Sequence, residues 1–390
     1  MNRTSKRGAA PAAFVCALLA ACGSSGDNAP STAATSPAAA GTTPAVQVKA
    51  TTVASGLENP WSLAFLPDGR MLVTERPGRL RIVSAAGVLS PALTGVPAVF
   101  ATGQGGLLDV VLSPGFATDH TIFFSFAEPV AGGMARTAVA KASLSDTALT
   151  NVQVIFRQNM AKSGGNHFGS RLVFGTDGTL FVTSSEREDR DRAQELTNHL
   201  GKVLRIRTDG SAPADNPFLG TAGAMPEIWS YGHRNLQGAA LNPATGKLWT
   251  AEHGPQGGDE INAPAAGKNY GWPKVTYGVE YGSATPIGQG TTGGGTEPPL
   301  HYWVPTSIAP SGMAFYTGSK IPAWQGSVFG GALAGQALIR LSLQGDQVVS
   351  EERLLNSLGE RIRDVRMGPD GNLYLLTDNA SGRILRVEAQ

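Results

Sequence analysis

One pattern recurs six times along this chain and restricts its fold more than any other feature. An alternating apolar/polar run is followed by a Pro/Asp/Asn/Gly turn and a second alternating run, in segments 61–74, 106–126, 170–183, 238–250, 311–331 and 362–377. Three copies turn on Asp-Gly (Asp68-Gly69, Asp177-Gly178 and Asp370-Gly371). Asp-Gly between alternating runs is among the strongest short-range hairpin signals, because both residues tolerate positive φ. The fifth copy is looser, with its two runs well separated.

A single repeated hairpin, each followed by further strand-like sequence, predicts an all-β chain: a six-bladed β-propeller of four-stranded antiparallel blades. Residues 47–390 then supply roughly 57 residues per blade, a little above the usual period and consistent with long loops on one face. Closure into a ring leaves only short edges open to aggregation. A pair of β-sandwich domains predicts no repeat through the whole length. The 50 glycines and 25 prolines favour tight turns over helices.

The N-terminus reads as an address. Arg3, Lys6 and Arg7 precede an apolar stretch at 9–20, which is too short to span a bilayer (about 20 residues are needed). Leu19-Ala20-Ala21-Cys22 resembles a bacterial lipobox, whose cysteine becomes the lipidated first residue; the alternative is a plain signal peptide with a chance cysteine. The expected organisation is a lipoprotein signal peptide at 1–21, a lipidated Cys22 with an Ala/Ser/Thr/Pro tether at 22–46, and a propeller at 47–390. The expected location is the periplasmic face of the cell envelope, with membrane contact through the lipid alone. Both cysteines, Cys16 and Cys22, lie in this leader, so the body holds no disulfide, zinc–thiolate site or cysteine nucleophile. Removing Arg3, Lys6 and Arg7 leaves 28 basic to 30 acidic residues, or −2, which gives no electrostatic case for nucleic acid.

Polar motifs stand where hairpin chemistry does not require them. Gly164-Gly165-Asn166-His167 precedes the third hairpin, and His167 reads as a general base or as a structural histidine. Tyr231-Gly232-His233-Arg234-Asn235-Leu236-Gln237 precedes the fourth. The planar fork of Arg234 suits a carboxylate or quinone oxygen, with a surface arginine as the plain alternative. In the stretch 252–262, Asp259 and Glu260 lie among glycines, an oxygen-only environment that suits Ca²⁺ over zinc or copper. The charged run 186–192 reads as a solvated loop, from which Glu186 is set apart.

Together these stretches resemble the soluble pyrroloquinoline quinone (PQQ) dependent glucose/aldose sugar dehydrogenases. The resemblance runs through Gly103-Gln104-Gly105-Gly106, Gly165-Asn166-His167, Gly232-His233-Arg234-Asn235, His253-Gly254-Pro255, Asp259-Glu260-Ile261-Asn262, Asn269-Tyr270-Gly271-Trp272-Pro273, Ala309-Pro310-Ser311 and Arg361-Ile362-Arg363. It implies a six-bladed propeller that oxidises aldoses with PQQ and Ca²⁺, and it is closest to the bacterial aldose branch. By it, His167 matches the catalytic base and Glu186 its acidic partner, an aspartate in the glucose enzyme. Gln104 matches a residue near the sugar, and Arg234 one that bonds the reacting quinone oxygen. Asn235 and Gln237 match cofactor contacts, and Arg361 and Arg363 match arginines on PQQ carboxylates. The carbonyls of Gly254 and Pro255 match ligands of a catalytic calcium, and Glu260 and Tyr270 match a second, structural calcium site. A cofactor-contacting lysine of the glucose enzyme is replaced near Ala334.

Two other classes compete. A calcium-dependent propeller lactonase or esterase has no use for Arg361 and Arg363 converging on a planar triacid, and a non-enzymatic surface-binding propeller leaves the polar motifs unexplained. An aldose is the implied partner; the electron acceptor and the choice between monomer and dimer stay open.

Overall fold

The computed structural model describes residues 46–390. The expected signal peptide, Cys22 and the tether up to residue 45 lie outside the described residues. Among the described residues no helix is long and apolar enough to cross a membrane.

Six antiparallel sheets make up residues 46–390; in five of them the first strand in the chain lies innermost, and in the sixth, whose outer edge is Val48–Leu57, Ile362–Met367 does. These inner strands are Pro60–Phe65, Leu107–Leu112, Gly169–Phe174, Asn235–Leu241, Pro310–Phe315 and Ile362–Met367. They pack beside one another around a common axis as blades of a propeller, so their N-terminal ends share one mouth. The Asp-Gly turns that follow them lie at the opposite face. In each of the three, the Asp Oδ1 accepts the amide of the residue two positions on (Arg70 at 3.0 Å, Thr179 at 3.0 Å, Asn372 at 3.1 Å), and the glycine takes φ of 78–86°. Short turns at one face leave the long connections, with their chemistry, at the other.

Five sheets have four strands, as expected, and the first has three: Pro60–Phe65, Met71–Glu75 and Arg79–Val83. Residues 88–93 run where a fourth would lie. Ser90 N donates to Ile82 O (2.8 Å) and Leu93 N to Leu80 O (2.8 Å). Pro91 stands between them, and without an N–H it cannot continue the ladder.

The last blade closes the ring. Val48–Leu57 pairs antiparallel with Gly382–Ala389, from Val48 opposite Ala389 to Leu57 opposite Gly382. Backbone pairing and apolar burial therefore do the work that a disulfide does elsewhere. Val365, Leu375 and Leu385 stack between blades with Phe329 and Leu338 of the fifth, and all are buried; each such side chain contributes about 1.5–3 kcal/mol.

Below the mouth, a buried ion cluster plugs the axis. Asp109 Oδ1 accepts from Ser62 Oγ (2.6 Å) and Arg366 Nη2 (2.8 Å) and lies 3.3 Å from Arg171 Nη1. Arg171 Nη1 also lies 3.0 Å from Asp364. Its Nε donates to Gln237 O (2.8 Å) and its Nη2 to Arg363 O (3.2 Å). Charges this deep need full pairing, and here they tie inner strands of several blades together directly beneath two of the predicted site residues.

Candidate active site

The predicted site residues come from four blades, and the structure brings most of them into one hydrogen-bonded group at the mouth. Gln104 is the hub. Its Oε1 accepts from His167 N (3.0 Å), Gln237 Nε2 (3.1 Å) and Asn235 Nδ2 (3.4 Å). His167 sits at φ 55°, between Gly164 (85°) and Gly169 (70°). The flanking glycines let the chain turn sharply enough to put an imidazole at a strand entrance. Its Nδ1 lies 3.0 Å from Glu186 Oε1. A carboxylate can only accept, so Nδ1 carries the proton and Nε2 is left as the basic nitrogen. Glu186 Oε2 is buried with no partner among the described residues.

Arg363 joins the group from the sixth blade. Its Nη1 donates to Gln237 Oε1 (2.6 Å) and Ser311 Oγ (3.2 Å), and its Nη2 to Asp378 Oδ2 (3.1 Å). Arg361, by contrast, is exposed and holds the same Asp378 oxygen at 3.2 Å. Burial alone would raise Asp378; Arg363, Arg76 and Arg361 override it and hold the carboxyl at about 2. Burial lowers the Arg363 guanidinium, Asp378 pulls it back, and Arg76, Arg171 and Arg361 push it further down. One carboxylate thus faces three guanidiniums at the mouth. The Nε atoms of Arg76, Arg234 and Arg363 are all buried without a partner among the described residues. A planar polyanion that accepts these donors fits the arrangement.

Arg234 is buried rather than a surface arginine. Its Nη1 donates to the carbonyls of His253 (3.0 Å) and Gly254 (2.5 Å), and its guanidinium lies 5.3 Å from the Trp272 ring centroid. The Gly254 carbonyl, expected to face a cation, is therefore hydrogen-bonded to the arginine. Among the described residues the Pro255 carbonyl accepts no hydrogen bond. Burial, followed by Arg234 and Arg363, pushes His253 down to about 3. Its neutral ring donates Nε2–H to Pro310 O at 2.8 Å.

Behind Arg234 lie two acids. Glu252 accepts the Arg234 amide (2.8 Å), and its other oxygen lies 3.1 Å from His233 Nδ1. The Asn262 amide bridges Glu252 (2.7 Å) and Glu260 (3.0 Å). Burial, and after it Glu252, raises Glu260 well above the usual carboxyl range. A narrow pocket runs between Arg234, Glu252, Gly254, Gly258, Glu260 and Tyr270. Among the described residues no group of three or more His, Cys, Asp or Glu is placed to hold a metal. A cation held here must use carbonyl and amide oxygens beside one or two carboxylates, a donor set that fits Ca²⁺. The Tyr270 hydroxyl is already engaged, donating to Ala263 O (2.6 Å) and accepting from Ala265 N (3.0 Å), which leaves its carbonyl. Asp259 is not a candidate ligand. It accepts from Gly254 N, Ser307 Oγ, Ile308 N and Ala309 N at 2.5–2.9 Å and pins those loops together.

Sequence reasoning missed Asp378, Ser311 Oγ and Arg76 as members of the group, and it placed Arg187 in a solvated run although that side chain is buried. Asp378 directly follows the second strand of the sixth hairpin, the position that could have drawn notice. Ala334 is exposed in the turn after Val328–Ala332, its amide bonded to Ile308 O (3.0 Å), and brings no polar side chain.

Residues 57–386 match the family model described as Glucose / Sorbosone dehydrogenase. The aldose sugar dehydrogenase YliI of Escherichia coli (strain K12) is 51% identical over 335 residues, covering 85% of this chain and 90% of that protein. A glucose dehydrogenase crystal structure superposes with a TM-score of 0.86 at 54% identity, covering 88% of this chain and all of the other. The PQQ-bound form of an aldose sugar dehydrogenase from Streptomyces coelicolor superposes with a TM-score of 0.74 at 30% identity, over 88% and 98% of the two chains. The chain belongs to the glucose/sorbosone dehydrogenase family and is a sugar-oxidising oxidoreductase.

Proposed function

We propose that this chain oxidises aldoses to lactones with PQQ and Ca²⁺, using His167 as the general base. The observation that carries the reading is the convergence of a carboxylate-oriented imidazole and the buried, incompletely bonded guanidiniums of Arg234 and Arg363 at one mouth. When bound, PQQ supplies the hydride acceptor and Ca²⁺ polarises it.

The protein binds, orients and moves a proton. Arg363, with Arg361 and Arg76 near it, would hold the carboxylates of the cofactor, and Asn235 and Gln237, joined through the Gln104 hub, would hold its edge. Arg234 lies where it can donate to an oxygen that gains negative charge. His167 Nε2 takes the anomeric hydroxyl proton, and Glu186 keeps Nδ1 protonated and steadies the imidazolium that forms. Gln104 faces both the base and the cofactor contacts, so it also orients the sugar. The Pro255 carbonyl, and the Gly254 carbonyl once Arg234 turns from it to the cofactor, would hold one calcium, and Glu260 and the Tyr270 carbonyl a second ion. The lipobox reading adds an anchor through Cys22 at the periplasmic face.

The test is reconstitution. Apo protein given PQQ and Ca²⁺ is expected to take up PQQ with a change in its absorbance and then to reduce an artificial dye in the presence of aldoses. Chelating Ca²⁺ is expected to abolish both and to lower Tm, by about 2.7 kcal/mol of stabilisation when Ca²⁺ stands at 100 times its Kd. PQQ uptake without aldose oxidation, or full activity in His167→Asn, would refute it, and lactone hydrolysis without PQQ would favour the hydrolase.

A further inference from the structure

Arg187 is 2% exposed; among the described residues its guanidinium forms no ion pair within salt-bridge distance and makes three hydrogen bonds, all to backbone carbonyls. Nε donates to Asn166 O (2.7 Å), Nη2 to Gly164 O (2.7 Å) and Nη1 to Ala135 O (2.8 Å). Its plane lies 3.8 Å from the Phe168 ring centroid. Two of the carbonyls, Gly164 and Asn166, lie just before His167, the Phe168 ring follows directly after it, and Ala135 anchors the group to the neighbouring strand Met134–Leu144. The segment from the end of Leu149–Arg157 to the start of Gly169–Phe174 has no ladder of its own beyond one bridge, Ala135 with Lys162. Arg187 also neighbours Glu186, whose carboxylate meets the imidazole. Both residues of that turn thus bear on one histidine, one through the ring and one through the main chain.

Resting on the reading of His167 as the base, we propose that Arg187 is a positioning residue: its three-carbonyl grip fixes the loop that aims His167 at the sugar hydroxyl. A planar fork with donors in three directions can hold three carbonyls at once, and a lysine ammonium on a flexible stem cannot match that geometry. Charge-assisted bonds to carbonyls and the aromatic face under the guanidinium hold a loop whose other ties are the Ala135–Lys162 bridge and the bonds from Gln104 and Thr137. A base displaced by about 1 Å loses on the order of 10²-fold in rate.

The experiment compares Arg187→Lys, Arg187→Ala and His167→Asn in the full chain. In apo protein, hydrogen exchange across residues 163–168 is expected to quicken in both arginine variants while the outer strands keep their protection. After reconstitution, kcat per PQQ-occupied site is expected to fall about 10²-fold in Arg187→Ala, with PQQ Kd within twofold of wild type. Guanidinium ion at sub-denaturing concentration is expected to restore part of the activity of Arg187→Ala, and methylammonium is not. Unchanged exchange, or unchanged kcat per occupied site while His167→Asn is inactive, overturns the clamp and leaves the base reading standing. Activity retained in His167→Asn overturns the base reading and the inference with it. If Arg187→Ala does not fold, Arg187→Lys decides by the same exchange and kcat criteria.

Discussion

Replacing Glu186 by Gln separates charge from shape at the base. Glu186 Oε1 meets His167 Nδ1 at 3.0 Å, the side chain is 2% exposed, and Oε2 has no partner among the described residues. Glutamine keeps the length and can keep an oxygen toward Nδ1. What it removes is the negative charge beside an imidazole that gains a proton during reaction. A hydrogen bond to a charged group contributes about 1.5–3 kcal/mol and a neutral one about 0.5–1.5. The difference, about 1–2 kcal/mol, is roughly 5–30-fold in kcat. If the amide instead turns its NH₂ toward Nδ1, the imidazole is driven to the other tautomer. The loss then approaches that of a triad whose aspartate is made asparagine, about 10⁴-fold. Stability should move the other way or not at all, because a buried carboxylate oxygen without a partner is lost. The assay is dye reduction at saturating PQQ and Ca²⁺, with occupied sites counted by PQQ absorbance and Tm measured beside it. Wild-type kcat at equal occupancy refutes a role for the carboxylate. A fall in rate that only mirrors lost PQQ binding refutes the claim that it acts through the histidine.

Three further outcomes follow from the structure. Arg363→Lys cannot serve Gln237, Ser311 and Asp378 together, so PQQ Kd should rise by about 10- to 100-fold; a Kd within twofold of wild type, by absorbance titration, contradicts the assignment. The adjacent glycines of Val328–Ala332 should respond oppositely to alanine. A Cβ at Gly330 meets nothing within 4 Å and faces a small apolar void lined by Ile261, Trp303 and Met313, whereas one at Gly331 comes within 2.6 Å of Ile362 O. Gly330→Ala should therefore stabilise by about 0.4–1 kcal/mol and Gly331→Ala destabilise, as read by urea unfolding. Finally, the His301 hydrogen bond, offset by burial and aided by Arg353 and Trp303, holds Glu351 at about 2. A depressed carboxyl stabilises above its unfolded value, about 4.3, and loses that contribution as pH falls toward 2. Glu351→Gln should cost about 1 kcal/mol at pH 6 after allowance for solvent screening and nothing near pH 2, and a cost independent of pH would contradict the assignment.

The hairpins were legible because their information is local. Asp68-Gly69, Asp177-Gly178 and Asp370-Gly371 specify a turn whatever surrounds them, and alternation specifies the flanking strands. The missing fourth strand of the first blade was written in Pro91, but it could be read only once residues 88–93 were known to lie along an edge. Some residue types of the site were legible too, since His167 and Arg234 stand in motifs that the hairpins do not require, whereas Arg363 sits inside the sixth hairpin and stood out only through the resemblance.

Pairing was another matter. Glu186 and Arg187 stand side by side at the head of a charged run, and the residues just after them are exposed or half-buried. That one aims at an imidazole and the other grips the main chain just before it depends on the fold of 158–168 over them. Asp378 became the counter-ion of Arg361 and Arg363 because a hairpin brings its end back beside its start. The chain by itself determined six blades and the chemical kinds at the mouth, because turn chemistry and alternation act over a few residues. Only closure of the ring, strand Val48–Leu57 against Gly382–Ala389, brought the loops of separate blades within hydrogen-bonding distance, and charges and donors acquire partners only at that range.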